Sequence, residues 1–297
     1  MTLKEKIDSG EFIVCGELGP PQSANPCAVE KKVIHFRDVV DAVNVTDNQT
    51  AIVRMSSIAS AKILLDQEIE PIVQMTCRDR NRIAIQSDLL GASALGVENV
   101  LCLTGDYMKF GNHPEAKPVF DMGSIQLIAT LKEMNDGFFL SGDKMKTPPS
   151  FCIGGAANPF AEPFEMRIIR LEKKIKAGAH FIQTQPVFDL PRFAQWMEAV
   201  VELGLHEQTA ILAGVMPVKS AKALHHMQDE VPGMRIDPDY IFRMERALDP
   251  KKEGIKIAVE IIQEIRKLKG IRGIHIMPVM WESITPVIVE ESGLKRR

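Results

Sequence analysis

The chain has 297 residues, 45% of them hydrophobic, so it can bury a substantial core as one large domain or two ordinary ones. Its 36 basic and 39 acidic residues give a formal net charge of −3, which argues against a nucleic-acid-binding surface. No apolar run approaches the ~20 residues of a membrane span, and the N-terminal MTLKEKIDSG lacks the apolar stretch of a secretory signal. We therefore expect a cytoplasmic protein without a membrane span or a nucleic-acid partner.

Short apolar runs recur along the whole chain and are flanked by Gly, Pro, Asn or Asp, as expected of strands buried on both faces. They are FIVCGEL (12–18), DAVNVTD (41–47), PIVQMTC (71–77), NVLCLTG (99–105), SFCIGGA (150–156), HFIQTQP (180–186), AILAGVM (210–216) and GIHIMPV (273–279). The five cysteines form no CxxC pair, and four lie within these runs, where a free thiol acts as a small core residue. This usage predicts reduced thiols and no metal site.

Apolar residues at helical spacing separate the runs. They predict helices over 52–65, 83–95, 166–175 and 196–203, and two or three helices within 217–271. Eight strands alternating with helices favour a single (β/α)8 TIM barrel over residues 1–297. An open-sheet nucleotide fold would show G-x-G-x-x-G after the first strand, where this chain has GELGPP.

The active site of such a barrel forms at the C-terminal ends of the strands. Polar or small residues occupy those ends here: Glu17, Thr46-Asp47, Thr76-Cys77, Thr104-Gly105-Asp106, Gly154-Gly155, Gln185 and Pro217. Glu17 precedes the rigid Gly19-Pro20-Pro21 turn, so its carboxyl group is expected to be poorly hydrated, with a raised pKa suited to a general acid. The alternative for Glu17 is an ion pair with a lysine or arginine.

Three further features leave alternatives open. Asp106 could cap the next helix or face a ligand, and Arg78, Arg80 and Arg82 could be solvated or contact an anion. The backbone around Gly154-Gly155 lacks side chains and so suits a phosphate or a planar ring, but a tight strand-to-helix loop would have the same glycine-rich sequence. Gln185 offers an amide suited to a heterocycle edge such as a pterin, whereas we expect Gln183 to face the helices.

Taken in order, these segments resemble the methylenetetrahydrofolate reductases, the flavin-dependent (β/α)8 enzymes of one-carbon metabolism. The resemblance spans essentially the whole chain and rests on GELGPP, VNVTDN, QMTCRDRNRIA, CLTGD, GGAANP, AGAHFIQTQPVFD, AGVMPV and GIHIM. The sequences of these segments are most similar to the short, catalytic-domain-only form of acetogenic anaerobes, which use the Wood–Ljungdahl pathway. Relatives of that form are associated with a second, zinc-binding subunit and with electron-transfer partner proteins.

The resemblance implies a role for each matching position. Glu17 would be the general acid in the reduction of methylenetetrahydrofolate, Asp106 a carboxylate beside flavin and pterin, and Gln185 the amide that binds the pterin. The positions expected to line the flavin or its phosphates are Thr46, Gln74, Thr104, Gly105, Asp106, Ala156, Ala157, Asn158 and Lys174.

The sequence departs from the family pattern where the adenine, ribose and pyrophosphate would lie. Gln74 replaces a histidine and Asn158 a tyrosine, Glu162 replaces another histidine, and Arg167 and Arg170 replace two polar residues. We therefore expect FAD, with FMN as the alternative, and no metal in this chain. Two other functions stay open: a pterin-binding barrel methyltransferase without flavin, and a flavin- or folate-holding subunit of a larger electron-transfer complex.

Overall fold

The computed structural model describes residues 1–231 and 233–294, so Pro232 and positions 295–297 of the predicted domain lie outside the described residues. Eight parallel strands close into a barrel in chain order, which confirms the predicted (β/α)8 fold. The strands are β1 (Ile13–Leu18), β2 (Ala42–Val45), β3 (Pro71–Thr76), β4 (Asn99–Leu103), β5 (Cys152–Ala157), β6 (Phe181–Pro186), β7 (Ala210–Val215) and β8 (Ile271–Ile276).

Alternate side chains of each strand point to opposite sides of the barrel wall. One set fills the interior and includes Ile13, Phe181 and Leu212, whereas the intervening set, such as Ile182, packs in the cluster shared with the helices. Both faces of every strand are thus covered, which explains why the strands read as continuous apolar runs rather than as alternating patterns.

The prediction that Gln183 faces the helices is wrong. Gln183 pairs in register with Leu212, so it shares the interior side of the wall with Phe181, two residues earlier. Gln183 is 2% exposed, and within the described residues neither of its amide atoms has a hydrogen-bond partner. The pairing of β6 with β7 is irregular after Gln183, and Gln185 lines the cavity at the end of the strand.

Helices surround the barrel, and the first of them packs Leu3 against the interior cluster of the strands. They are α1 (Leu3–Ser9), α2 (Cys27–Val33), α3 (Ser57–Asp66), α4 (Arg82–Ala94), α5 (Ser124–Asn135), α6 (Phe164–Lys176), α7 (Leu190–Glu202), α8 (Ala221–Glu230), α9 (Pro238–Arg246), α10 (Pro250–Ile265) and α11 (Thr285–Glu291). Among these described helices, none combines the length and apolar character needed to cross a bilayer.

Two helix starts differ from the sequence prediction: α3 begins later than residue 52, and α7 begins at Leu190 rather than at residue 196. The helix expected from residue 52 begins at Ser57, because the backbone is extended at Ile52 and at Ser56, whose hydroxyl caps the helix. Helices α1, α2, α5 and α11 were not predicted. The three helices α8, α9 and α10 agree with the expectation of two or three helices within 217–271.

Candidate active site

A cavity of about 350 Å³ opens at the C-terminal ends of the strands, beneath the loop that joins β4 to α5. Nine residues predicted to bind cofactor or substrate line it: Gln74, Thr104, Gly105, Asp106, Ala156, Ala157, Asn158, Lys174 and Gln185. Thr46 and Glu17 lie beside this lining. The tertiary structure therefore brings residues from β3, β4, β5, α6 and β6 to one opening.

Glu17 occupies the interior side of β1 and is 8% exposed. Gln74 Nε2, which lines the cavity, donates a hydrogen bond to Glu17 Oε2 at 3.3 Å. Burial raises the pKa of Glu17 to about 7; the Gln74 hydrogen bond lowers it and the charge of Glu282 raises it further. The carboxyl group can therefore hold a proton near neutral pH at the edge of the cavity.

His275 on β8 is a neighbour of Glu17 that the sequence reading did not identify. Its Nε2 lies 3.5 Å from Glu17 Oε2, and burial lowers the pKa of the imidazole to about 3. The ring is therefore neutral at physiological pH, and Glu17 has no cationic partner in it. A histidine at an inward position of an otherwise apolar strand was the available signal, since such a position normally carries an apolar side chain.

Asp106 does not cap a helix. The next helix, α5, begins at Ser124, and its capping contacts come from Gly123 and Gln126. Asp106 Oδ2 instead accepts a hydrogen bond from the Thr50 backbone N–H at 2.8 Å, and the Asp106 side chain is exposed at the cavity. This contact ties the loop after β4 to the segment with positive φ angles after β2.

Three cations lie on one side of the cavity. Arg167, Arg170 and Lys174 project from successive turns of α6, and all three line the opening. Lys174 is 7% exposed and donates to the Ala156 carbonyl; burial, followed by the charge of Arg170, lowers its pKa to about 8. Lys174 is therefore still mostly protonated at pH 7, and this wall suits an anionic group.

The arginines after β3 are paired with carboxylates of the protein, and the Arg82 side chain is nevertheless exposed to solvent. Arg80 binds Asp47 at 2.7 Å and Asp88 at 2.8 Å, and Asp47 also accepts hydrogen bonds from the Thr76 backbone and hydroxyl. Arg82 pairs with Asp121. These pairs hold the loop after β3 in place.

Arg78 is buried against the rim of the cavity. Its guanidinium pairs with Asp79 at 2.7 Å and donates to the Asn48 and Asp106 carbonyl oxygens. A Cβ atom on Gly105 would lie 2.8 Å from the Arg78 Cβ, so only glycine allows the backbone after β4 to approach this side chain. Arg78 thus supports the Asp106 loop from below.

Two residues predicted to line the flavin, Thr46 and Asn158, are placed differently from the others. Thr46 is 1% exposed, and its hydroxyl has no hydrogen-bond partner among the described residues. Asn158 contacts protein on both sides, because its amide donates to the Gly233 carbonyl and its oxygen accepts from the Phe160 N–H. The cofactor roles of both residues stay predictions.

Comparison with known proteins is consistent with this geometry. A family model described as methylenetetrahydrofolate reductase matches residues 2–293. The chain is 26% identical over 248 residues to methylenetetrahydrofolate reductase 1 of Schizosaccharomyces pombe, covering 78% of this chain and 37% of that protein. It is 23% identical over 236 residues to 5,10-methylenetetrahydrofolate reductase of Salmonella typhimurium, covering 76% and 71%.

Among solved structures, a Clostridium thermocellum protein described as binding two copies of 5-methyl-5,6,7,8-tetrahydrofolic acid has the same fold, with a TM-score of 0.68 and 17% identity. The alignment covers 99% of this chain and 98% of that one. The match to the fission-yeast relative, by contrast, spans little more than a third of that protein's length. Because the family model covers nearly every residue, the chain belongs to the methylenetetrahydrofolate reductase family.

Proposed function

We propose that this protein reduces 5,10-methylenetetrahydrofolate to 5-methyltetrahydrofolate with a bound flavin, using Glu17 as the general acid. The observation that carries the proposal is a buried, protonatable carboxyl group held by Gln74 at the edge of a cavity that Asp106 and Gln185 also line. The Clostridium protein of the same fold binds the methylated folate that this reaction would produce.

The residues of the cavity fit a flavin. Gly105, Ala156 and Ala157 present small side chains and backbone on which a planar ring system can lie. Arg167, Arg170 and Lys174 supply positive charge for phosphate. A bound flavin would supply the hydride that reduces the one-carbon group. FAD is the proposed form, and FMN is the alternative because three cations would also bind a terminal phosphate.

Glu17 would act on the folate itself. Opening the five-membered ring of methylenetetrahydrofolate requires a proton on the nitrogen that leaves, and the product is a positively charged iminium group. A carboxyl group with a pKa of about 7 is protonated in about half of the molecules at neutral pH and can give up that proton readily. Folate reduction should therefore decline as the pH rises through about 7.

Asp106 and Gln185 would act by charge and orientation. The Asp106 carboxylate, exposed to the cavity, can stabilise the positive iminium that forms after ring opening. The Gln185 amide both donates and accepts hydrogen bonds, which matches the edge of a pterin. We further propose that the protein works in the cytoplasm with a zinc-binding second subunit and electron-transfer partner proteins, as the resemblance to the acetogen form implies.

The decisive experiment is anaerobic assay of the purified protein with methylenetetrahydrofolate and a chemically reduced dye. We expect 5-methyltetrahydrofolate to form, a flavin absorbance band near ~450 nm, and FAD or FMN to be identified by the mass of the released cofactor. Glu17→Gln should lose folate reduction by roughly a hundredfold or more while it retains flavin. Glu264→Gln, which alters an exposed pair with Lys267 on the outer surface, is the matched control and should keep full activity.

The competing functions predict other results. A methyltransferase would contain no flavin and would transfer the methyl group to a corrinoid acceptor. A holding subunit would bind flavin or folate but would fail to turn over with the dye. Full activity of Glu17→Gln would remove Glu17 from the acid role.

A further inference from the structure

Beside Glu17, an ion pair joins the helix that follows the first strand of the barrel to the segment that follows the last strand. Lys32 Nζ on α2 lies 2.6 Å from Glu282 Oε1 and donates to the Gly19 carbonyl at 2.9 Å. Gly19 belongs to the turn that follows Glu17, and Glu282 begins the 3₁₀ segment Glu282–Ile284 that follows β8. One ammonium group therefore links the turn after β1 to the segment after the strand that carries His275.

The pair is more buried than an ordinary surface contact. The Glu282 side chain is 9% exposed and the Lys32 side chain 29% exposed, although the two residues are 250 positions apart in sequence. β1 and β8 are already joined through backbone pairing, from Ile13–Gly273 to Cys15–His275. The ion pair is a further, side-chain link between the two strands' following segments, beyond those pairings on the side of Glu17.

The charges around Glu17 come from several elements. His275 faces it from β8 as a neutral ring, and the Glu282 carboxylate acts on it from the segment after β8. Arg54 Nη1 donates a hydrogen bond to the Pro20 carbonyl at 3.1 Å, and Lys219 Nζ donates one to the Met280 carbonyl at 2.9 Å. Burial is the largest influence on the Glu17 pKa, and Glu282 is the carboxylate that raises it further.

We propose that Lys32 and Glu282 are positioning residues for Glu17: the pair fixes the turn that presents Glu17, and the negative charge of Glu282 favours the proton-bearing form. The positive charge of Lys32, 2.6 Å from Glu282, offsets part of that effect. The proposal rests on the proposed acid role of Glu17 and deepens it, because it names the groups that set the proton occupancy of that acid.

The test measures the Glu17 proton directly. Infrared titration of the full-length protein follows the carboxylic acid C=O band that disappears in Glu17→Gln. Glu282→Gln keeps the shape of the side chain and a hydrogen-bond acceptor for Lys32 but removes the charge, so the titration midpoint should fall by about half a pH unit or more. The alkaline limb of the folate-reduction profile should move down by the same amount.

Lys32→Met is the second variant and should raise the midpoint, because it removes the positive charge of Lys32 and leaves the negative charge of Glu282. Opposite shifts distinguish electrostatic positioning from simple loss of packing, which would not reverse sign between the partners. Glu264→Gln, in the exposed pair with Lys267, is the control and should leave the midpoint unchanged.

An unchanged or raised midpoint in Glu282→Gln overturns the proposal. Should that variant fail to fold, Lys32→Met decides it alone: a higher midpoint supports the proposal, and an unchanged or lower one overturns it. Failure of the proposed function is distinguishable, because it would appear as full turnover in Glu17→Gln while the infrared titration still reports the influence of Glu282.

Discussion

At the scale of single residues, environment rather than residue type distinguishes the two proposed carboxylates. Glu17 is buried beside a neutral histidine and carries a pKa raised to about 7. Asp106 is exposed at the cavity and accepts a backbone hydrogen bond from Thr50. Glu17 is therefore suited to give a proton, whereas Asp106 is suited to place a carboxylate beside the cavity.

Asp106→Asn separates the charge of Asp106 from its structural contact. The asparagine side chain keeps an oxygen that can accept from Thr50 N–H, so the loop should hold its position while the negative charge is lost. We expect folate reduction to fall by about tenfold or more, because the iminium loses its stabilising charge. Stopped-flow measurement of flavin reoxidation by the folate provides the rate.

Asp106→Ala is the companion variant, since it removes both the charge and the hydrogen bond. It should be at least as slow as Asp106→Asn and should also increase amide hydrogen exchange at Thr50. An Asp106→Asn protein with the wild-type rate would leave Asp106 with a purely structural role in tying the two loops.

At the scale of elements, the two loops after β2 and β4 form one packed unit at the cavity. A Cβ atom on Gly111 would lie 1.9 Å from the Ala51 carbonyl oxygen, and Val53 N–H donates to the Asn112 side chain at 3.3 Å. Thr50 and Ala51 have φ angles of 59° and 54°, a region that costs free energy for residues other than glycine. Contacts with the β4–α5 loop offset that cost.

Gly105→Ala tests this arrangement. Gly105 has a φ of +96°, and a Cβ atom there would lie 2.8 Å from the Arg78 Cβ, so the substitution should destabilise the protein by about 1–3 kcal/mol. Gly91→Ala is the matched control: Gly91 lies within α4 and has no atom within 4 Å of an added Cβ. That variant should gain about 0.5–1 kcal/mol. Urea unfolding of both variants gives the comparison.

At the scale of the whole molecule, the proposed acid imposes a stability cost that depends on pH. The folded-state pKa of Glu17 exceeds the ordinary glutamate value of 4.5, so folding retains a proton that the unfolded chain releases, and stability falls as the pH rises from about 4.5 to 7. His275 acts in the opposite direction: its pKa is lowered from 6.5 to about 3, so stability is lost as the pH falls below about 6.5.

Glu17→Gln should therefore stabilise the protein more at pH 8 than at pH 5. The gain at pH 8 is at most about 3 kcal/mol, because the variant removes a buried carboxylate that is ionised at that pH. Chemical denaturation of wild type and variant at both values measures the difference. Equal effects at the two values would mean that Glu17 is hydrated in the folded protein and that its pKa is close to that of a free glutamate.

The sequence by itself determined the strands, their order, the barrel and the family, because these depend on local apolar runs and on motifs that lie within single elements. It also placed Glu17, Asp106 and Gln185 at strand ends, since the end of an apolar run is visible without a fold. Only the tertiary structure decided which groups meet. The contacts of Glu17 with Gln74 and His275, of Asp106 with Thr50, and of Lys32 with Glu282 join residues 56 to 258 positions apart in different elements. No local pattern encodes such pairings, because they arise only when the barrel closes and brings its first and last strands together.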